Sequence, residues 1–198
     1  MELIGTEHDR KDLLERCAAQ HKHLCPRQVL GVQMGLYSAR VFGIEMPQED
    51  KRILAFVETD GCFADGLAIA TGCTLGHRTM RLIDYGKVAA TLVDTLDGRA
   101  VRFAPRADVR SRAIAACPHA PNRWRAQLEA YQRFAGEELF SAVEVAMRLD
   151  IGALVGKPGV RAICCRCGEE ILNLREVVRE GETFCRGCAG ESYWMAKG

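Results

Sequence analysis

The sequence predicts an α+β domain followed by a small cysteine-rich module, and three observations carry that prediction. Ile53-Leu54-Ala55-Phe56-Val57 is a continuous apolar run between Lys51-Arg52 and Asp60-Gly61, the pattern of a buried central strand. Three further strand patterns, Thr79 to Asp84, Lys87 to Asp94 and Ala100 to Ala104, are separated by Tyr85-Gly86 and Asp97-Gly98 turns. Helical periodicities stand on both sides of this block, and helices on a mixed sheet make an α+β domain. The third observation is a pair of Cys-x-x-Cys motifs near the C-terminal end.

Residues Thr6 to about Gln20 read as the first helix, with Thr6 as N-cap and Leu13, Leu14, Cys17 and Ala18 at helical spacing. A second helix begins at Pro26, whose fixed φ suits the first helical position, and ends at Gly43. Cys25 is its N-cap. Gly31 and Gly35 lie four apart on it, so another backbone is expected to pack closely there. After the central strand, Asp60-Gly61-Cys62 turns into a helix that stops at Gly72, immediately before Cys73. Helical patterns return at about Arg123 to Ala135 and Glu137 to Leu149, the second with Leu139, Val143, Ala146 and Met147 as its apolar face. Gly152 to Gly159 is the expected boundary, giving a core domain over residues 1–155 and a small module over 156–198.

Composition narrows the function classes. Of 198 residues 48% are hydrophobic, and 27 Lys+Arg against 26 Asp+Glu leave +1, which excludes a disordered chain and a wholesale polyanion binder. No apolar run approaches the ~18 residues of a membrane helix, and the first ten residues do not have the pattern of a secretion signal. A cytoplasmic protein without membrane attachment is expected. Ten cysteines are then read as metal or thiol chemistry rather than as a disulfide scaffold.

Cys164-x-x-Cys167, seventeen residues, and Cys185-x-x-Cys188 match the spacing of a structural zinc site. Two residues between paired thiolates let one turn place both sulfurs ~2.3 Å from a single Zn²⁺, and two pairs close a tetrahedron. A hairpin turning at Glu180-Gly181 and a short helix over Ala189 to Lys197 complete a treble-clef finger, with Cys165 as a spare thiol. Redox pairs or free thiols are the alternative use of these cysteines. About 40 residues bury too little apolar surface to fold alone, so the metal supplies folding energy. Residues 157–198 hold seven Lys+Arg against six acids, a balance that argues for a protein-facing element over a nucleic-acid reader.

His21, His23 and Cys25 fall within five residues, and Cys62 and Cys73 flank one short helix. Imidazole and thiolate together suit zinc and other transition metals, so these five residues are candidate ligands of a core site holding a second Zn²⁺ or another transition metal. Cys25 and Cys62 each stand at a helix N-terminus, where unpaired N–H groups favour the thiolate, and both are candidate catalytic thiols. The alternative is that the cysteines are small core hydrophobes and the histidines are solvated.

The stretches His21-Lys22-His23-Leu24-Cys25-Pro26, Glu58 to Gly66, Thr71-Gly72-Cys73-Thr74-Leu75-Gly76 and Asp84-Tyr85-Gly86-Lys87 together resemble the FmdE family, named for the E component of formylmethanofuran dehydrogenase. The resemblance covers about residues 15 to 105 and implies a thioredoxin-like α+β core with a five-stranded mixed sheet. It also implies an active site in that core able to hold zinc, with His21, His23, Cys25, Cys62 and Cys73 in the motif positions, and a C-terminal treble-clef zinc finger. Lys22, Arg27 and Gly76-His77-Arg78-Thr79 depart from the family pattern, and the last brings in His77 as a further candidate.

Between Arg99 and Arg125 lie seven arginines and one acid, Asp108, a local charge of +6 in a nearly neutral chain. Such a segment suits an anionic ligand, or it is a solvated face paired with acids elsewhere. Three functional readings stay open: a metal-binding accessory protein of molybdo- or tungsto-enzyme metabolism, a thiol- or metal-dependent enzyme using Cys62 or Cys25, and a regulator whose finger contacts protein or nucleic acid. The expected partners are a molybdo- or tungsto-enzyme or another protein, an anion at the arginine segment, and a second copy of the chain.

Overall fold

The computed structural model describes residues 7–156 and 159–197, in two compact units that part between Arg148 and Leu149. Thr6, the expected N-cap, and Lys157-Pro158, in the expected linker, lie outside the described residues.

The first unit opens with α1 (Glu7–His21) and α2 (Pro26–Phe42). Pro26 starts α2 as predicted, and Gly43 ends it with φ +69°, a left-handed cap that glycine adopts without steric cost. β1 (Ile53–Val57) leads through α3 (Cys62–Thr71) to β2 (Met80–Leu82), then β3 (Ala90–Asp94) and β4 (Ala100–Pro105). The five-stranded sheet has the order β2-β1-β3-β4-β5, with β5 spanning Phe140–Glu144. β1 and β2 are parallel and every other pair is antiparallel. Every residue of β1 is buried, as its unbroken apolar run requires. Ile53, Ala55 and Val57 join the main core with Val32, Phe63, Leu67, Leu92 and Phe103, while Leu54 and Phe56 are buried on the alternate face.

The expected close approach at Gly31 and Gly35 is made by α3. A Cβ on Gly31 would collide with the Phe63 carbonyl and the Leu67 nitrogen, and one on Gly35 with Ala70. Gly66 of α3 lies in turn against the Gln28 carbonyl, so the two helices cross at backbone contact.

Two expectations are corrected beyond β4. The Arg-rich stretch forms an unpredicted helix, α4 (Val109–Ala116), which buries only Val109 and Ala113; that narrow apolar stripe gives a weak periodic signal. After α5 (Arg123–Arg133), the helix expected over Glu137 to Leu149 is instead the single turn α6 (Gly136–Leu139) followed by strand β5. The open edge of β4 accepts that strand in a register running from Pro105↔Phe140 to Val101↔Glu144. Leu139 and Phe140 are buried, but Val143 is 57% exposed, so the apolar face read at helical spacing is an edge strand with solvent on most of its length.

The second unit contains α7 (Ile151–Gly156), the antiparallel pair β6 (Arg161–Ile163) and β7 (Glu170–Leu172), and the hairpin β8 (Val177–Arg179) and β9 (Glu182–Phe184). That hairpin turns at Glu180-Gly181 as expected, with φ +52° and +84°. The helix expected over Ala189 to Lys197 is reduced to one turn, Gly187–Glu191, because Gly190 at φ +106° breaks it and Ser192 ties its hydroxyl to the Trp194 backbone. Among the described residues no helix is long and apolar enough to cross a membrane.

Candidate functional site

Two groups of cysteines are assembled, one in each unit. In the second unit, the sulfurs of Cys164, Cys167, Cys185 and Cys188 all lie within 4.8 Å of one another. The first pair sits on the turn between β6 and β7, where Gly168 N–H donates to the Cys164 carbonyl at 2.9 Å. The second pair comes after β9, at the start of the short helical turn. A tetrahedron with ~2.3 Å metal–sulfur bonds has sulfur–sulfur edges of about 3.8 Å. Cys167 and Cys185 stand 3.9 Å apart, so the donor set fits one tetrahedral ion in its present geometry. Cys165 is exposed and turns its N–H to the Thr183 carbonyl, outside the group.

Electrostatics within this cluster is uneven. Backbone N–H groups, Cys167's first and then those of Cys185 and Arg166, hold the Cys164 thiol down to about 6. Cys188 is pushed up to about 12, chiefly by hydrogen bonding to the Cys185 sulfur, and Cys167 is also raised. Four thiolates at this spacing repel strongly, so a cation is what lets all four lose their protons.

In the first unit, Cys25 caps α2 in a reciprocal box. Its sulfur accepts from the Gln28 N–H at 3.5 Å, while its own N–H donates to Gln28 Oε1 at 2.8 Å. Gln28 is fully buried and donates from Nε2 to the Cys17 carbonyl, fastening α1 to the start of α2. Cys62 opens α3 behind Gly61, whose φ of +78° and ψ of −160° lie in a region essentially restricted to glycine. The crossing of α2 and α3 brings these two helix starts together, close enough for Cys25 to act electrostatically on the Cys62 thiol.

His21, at the end of α1, donates from Nε2 to Asp65 Oδ2, in the first turn of α3, at 2.8 Å. His23 is exposed, its ring 6.5 Å from that of His21 in an edge-on arrangement. The structure does not bring Cys73 to this group. Cys73 lies past the opposite end of α3, buried, with its thiol donating to the Ile53 carbonyl at 3.3 Å. His77 is exposed in the loop beyond it. Among the described residues, the four-cysteine cluster is the one group of three or more His, Cys, Asp or Glu with ligand atoms in reach of a single ion.

Three participants were not legible as site residues. Cys17, read as a helical core position, is fully buried and lies in the field of Cys25, Cys62 and Asp65; burial first, and those charges next, push its thiol up to about 11. Asp65 and Gln28 carried no spacing signal, because each acts across a helix junction. The expected lowering of the Cys62 thiol is corrected as well. Burial raises it, neighbouring Cys25 adds to that, Asp65 contributes further, and together these outweigh the lowering by the Cys62 backbone N–H.

The arginine segment is largely consumed by structure. Arg102 makes two hydrogen bonds to buried Glu58, at 2.6 and 2.7 Å, and Arg112 reaches Glu138 at 3.0 Å. Arg99 lies 3.5 Å from Glu144 and donates to the Val41 carbonyl. Arg125 covers the ring of Trp124.

A helix-flanked five-stranded mixed sheet with paired thiols at two crossing helix starts, joined in sequence to a compact four-cysteine cluster, defines an α+β metal-binding protein with a finger-like appendage. A family model described as "FmdE, Molybdenum formylmethanofuran dehydrogenase operon" matches residues 20–147, and the chain belongs to the FmdE family. An FmdE-like protein of Syntrophus aciditrophicus, named for tungsten formylmethanofuran dehydrogenase, has a similar fold, with a TM-score of 0.60, 20% identity, and 94% of this chain and 95% of that one covered. A probable S-adenosyl-L-methionine-binding protein of Archaeoglobus fulgidus is 41% identical over 93 residues, 46% of this chain. The match spans 25% of that relative's length.

Proposed function

We propose that this chain is a metal-binding accessory protein of molybdenum or tungsten formylmethanofuran dehydrogenase metabolism, acting in the cytoplasm beside that enzyme complex. Its finger, residues 156–198, holds a structural Zn²⁺ on Cys164, Cys167, Cys185 and Cys188. Its core domain, residues 1–155, takes up a second zinc or another transition metal at Cys25 and Cys62, with His21 and His23 at hand. The observation that carries the reading is the four-sulfur cluster, whose dimensions suit a tetrahedral thiolate site, in a chain of this family. When bound, the metal supplies the cross-link that a module of about 40 residues needs to fold. The raised Cys62 thiol supports handling over catalysis, since a thiol that keeps its proton is a weak nucleophile.

The test is the metal content of anaerobically purified full-length protein and its variants. Cys185→Ser/Cys188→Ser is expected to lose one equivalent of zinc and unfold the second unit, while Cys165→Ser keeps it. Cys25→Ser/Cys62→Ser is expected to lose only a second, readily chelated equivalent. Full zinc retention in the Cys185→Ser/Cys188→Ser protein sinks the finger assignment, and thiol-dependent turnover of a defined substrate overturns the accessory role.

A further inference from the structure

A cavity of about 320 Å³ opens beside Cys25, walled by the first turns of α2, by α4 and α5, and by the end of β4. Its size is at the lower end of small-molecule sites, ~300–1,000 Å³. Its composition is what sets it apart. Leu30, Val109 and Tyr131, all buried, give it an apolar lining, and Trp124, with 44% of its surface exposed, lines it as well. Arg27 and Arg110 both line it, and no aspartate or glutamate does. Three of the segment's other arginines have been drawn to carboxylates, Arg102 to Glu58, Arg112 to Glu138 and Arg99 to Glu144. Arg110 acts instead on the interior of the cavity, where its charge favours ionisation of the Tyr131 phenol against the effect of burial.

Each part has a chemical use. Two guanidinium forks that pair with no carboxylate among the described residues suit a carboxylate or phosphate, and the N-terminus of the seventeen-residue α2 adds positive potential at Cys25. An exposed indole in an apolar lining suits a flat ring, which gains area and quadrupole contact without needing hydrogen bonds. We propose that this cavity binds a small planar anion, an aromatic or heteroaromatic ring bearing a carboxylate or phosphate. The ring lies on Trp124, the anionic group is held by Arg27 and Arg110, and the ring edge is presented to Cys25. This goes beyond the accessory reading and stands or falls independently of metal content.

The test uses full-length Trp194→Phe protein, in which Trp124 is the one tryptophan of the two that remains. Its emission is titrated with phenyl phosphate, benzoate, inorganic phosphate and benzyl alcohol. Phenyl phosphate and benzoate are expected to quench saturably, with inorganic phosphate and benzyl alcohol each at least about tenfold weaker, because each lacks one of the two contacts. Arg27→Gln and Arg110→Gln, both at exposed positions, are each expected to weaken binding about tenfold, and added salt weakens it further. Bound phenyl phosphate is also expected to slow alkylation of Cys25. Arg123→Gln, on α5 but outside the cavity, is expected to leave binding unchanged. Absence of saturation, equal binding of benzyl alcohol, or an equal loss on Arg123→Gln overturns the proposal.

Discussion

Replacing Gly31 by Ala tests the packing that holds the thiol pair together. The added Cβ would meet the Phe63 carbonyl oxygen, the Leu67 nitrogen and the Gly66 Cα, all backbone atoms that cannot rotate aside. The helices must then separate by roughly 1 Å, at the upper end of the ~1–3 kcal/mol cost of overpacking a core. Alanine returns about 1 kcal/mol of helix propensity over glycine. The net expectation is a loss of about 2 kcal/mol, or roughly 4–8 °C in melting temperature for a domain near 150 residues. Urea unfolding followed by Trp124 emission in the Trp194→Phe background reads it. Gly76→Ala serves as the control, since nothing lies within 4 Å of a Cβ there. A Gly31→Ala protein within about 0.5 kcal/mol of its parent would refute the close crossing. The separation of Cys25 from Cys62 would then have to be set by something other than these glycines.

Two further outcomes are expected. Arg102→Met leaves Glu58 buried with no countercharge; because Arg102 is itself 35% exposed, the loss is about 2 kcal/mol rather than the ~3–5 of a fully buried pair, with Glu58→Gln/Arg102→Met losing less, both read by urea unfolding. Metal affinity of the finger falls steeply as pH drops. Cys167 and Cys188 bind their protons more tightly than a free thiol, so near neutrality at least two protons leave per ion and log K changes by about two per pH unit, which chelator competition across that range measures; a change of one or less refutes the assignment.

The sequence revealed elements whose determinants are local. Pro26, Gly43 and Gly72 mark helix ends by their own backbone restrictions, and Ile53 to Val57 carries the central strand in five consecutive apolar residues. The four finger ligands were legible for the same reason, since each pair sits on one turn. β5 was not, because what makes a strand of Phe140 to Glu144 is the open edge of β4, some forty residues earlier in the chain. Its apolar spacing, Leu139, Val143, Ala146 and Met147, fits a helix until that edge competes for it. The core site failed in the same way. Cys73 lies close to Cys62 in sequence, but α3 rises 1.5 Å per residue over its ten residues and carries the two thiols to opposite ends. Cys17 and Asp65 reach the thiol pair only through the packing of α1 on α2 and α3, which no spacing announces.

The two cysteine groups are built for different exchange behaviour. In the finger, the four sulfurs already lie within 4.8 Å of one another, and backbone N–H groups at Cys164 favour its thiolate. A closed set of four such ligands leaves no position through which a competing ligand can enter, so release must pass through opening of the module. The core pair is the opposite case. Burial, Cys25 and Asp65 all favour the proton on Cys62, and His21 is engaged with Asp65. On the reading proposed above, an ion taken up there would have to displace protons and compete with Asp65 for His21. Such holding would be weak and pH-dependent, and on that reading this is what separates a site for transfer from a site for structure.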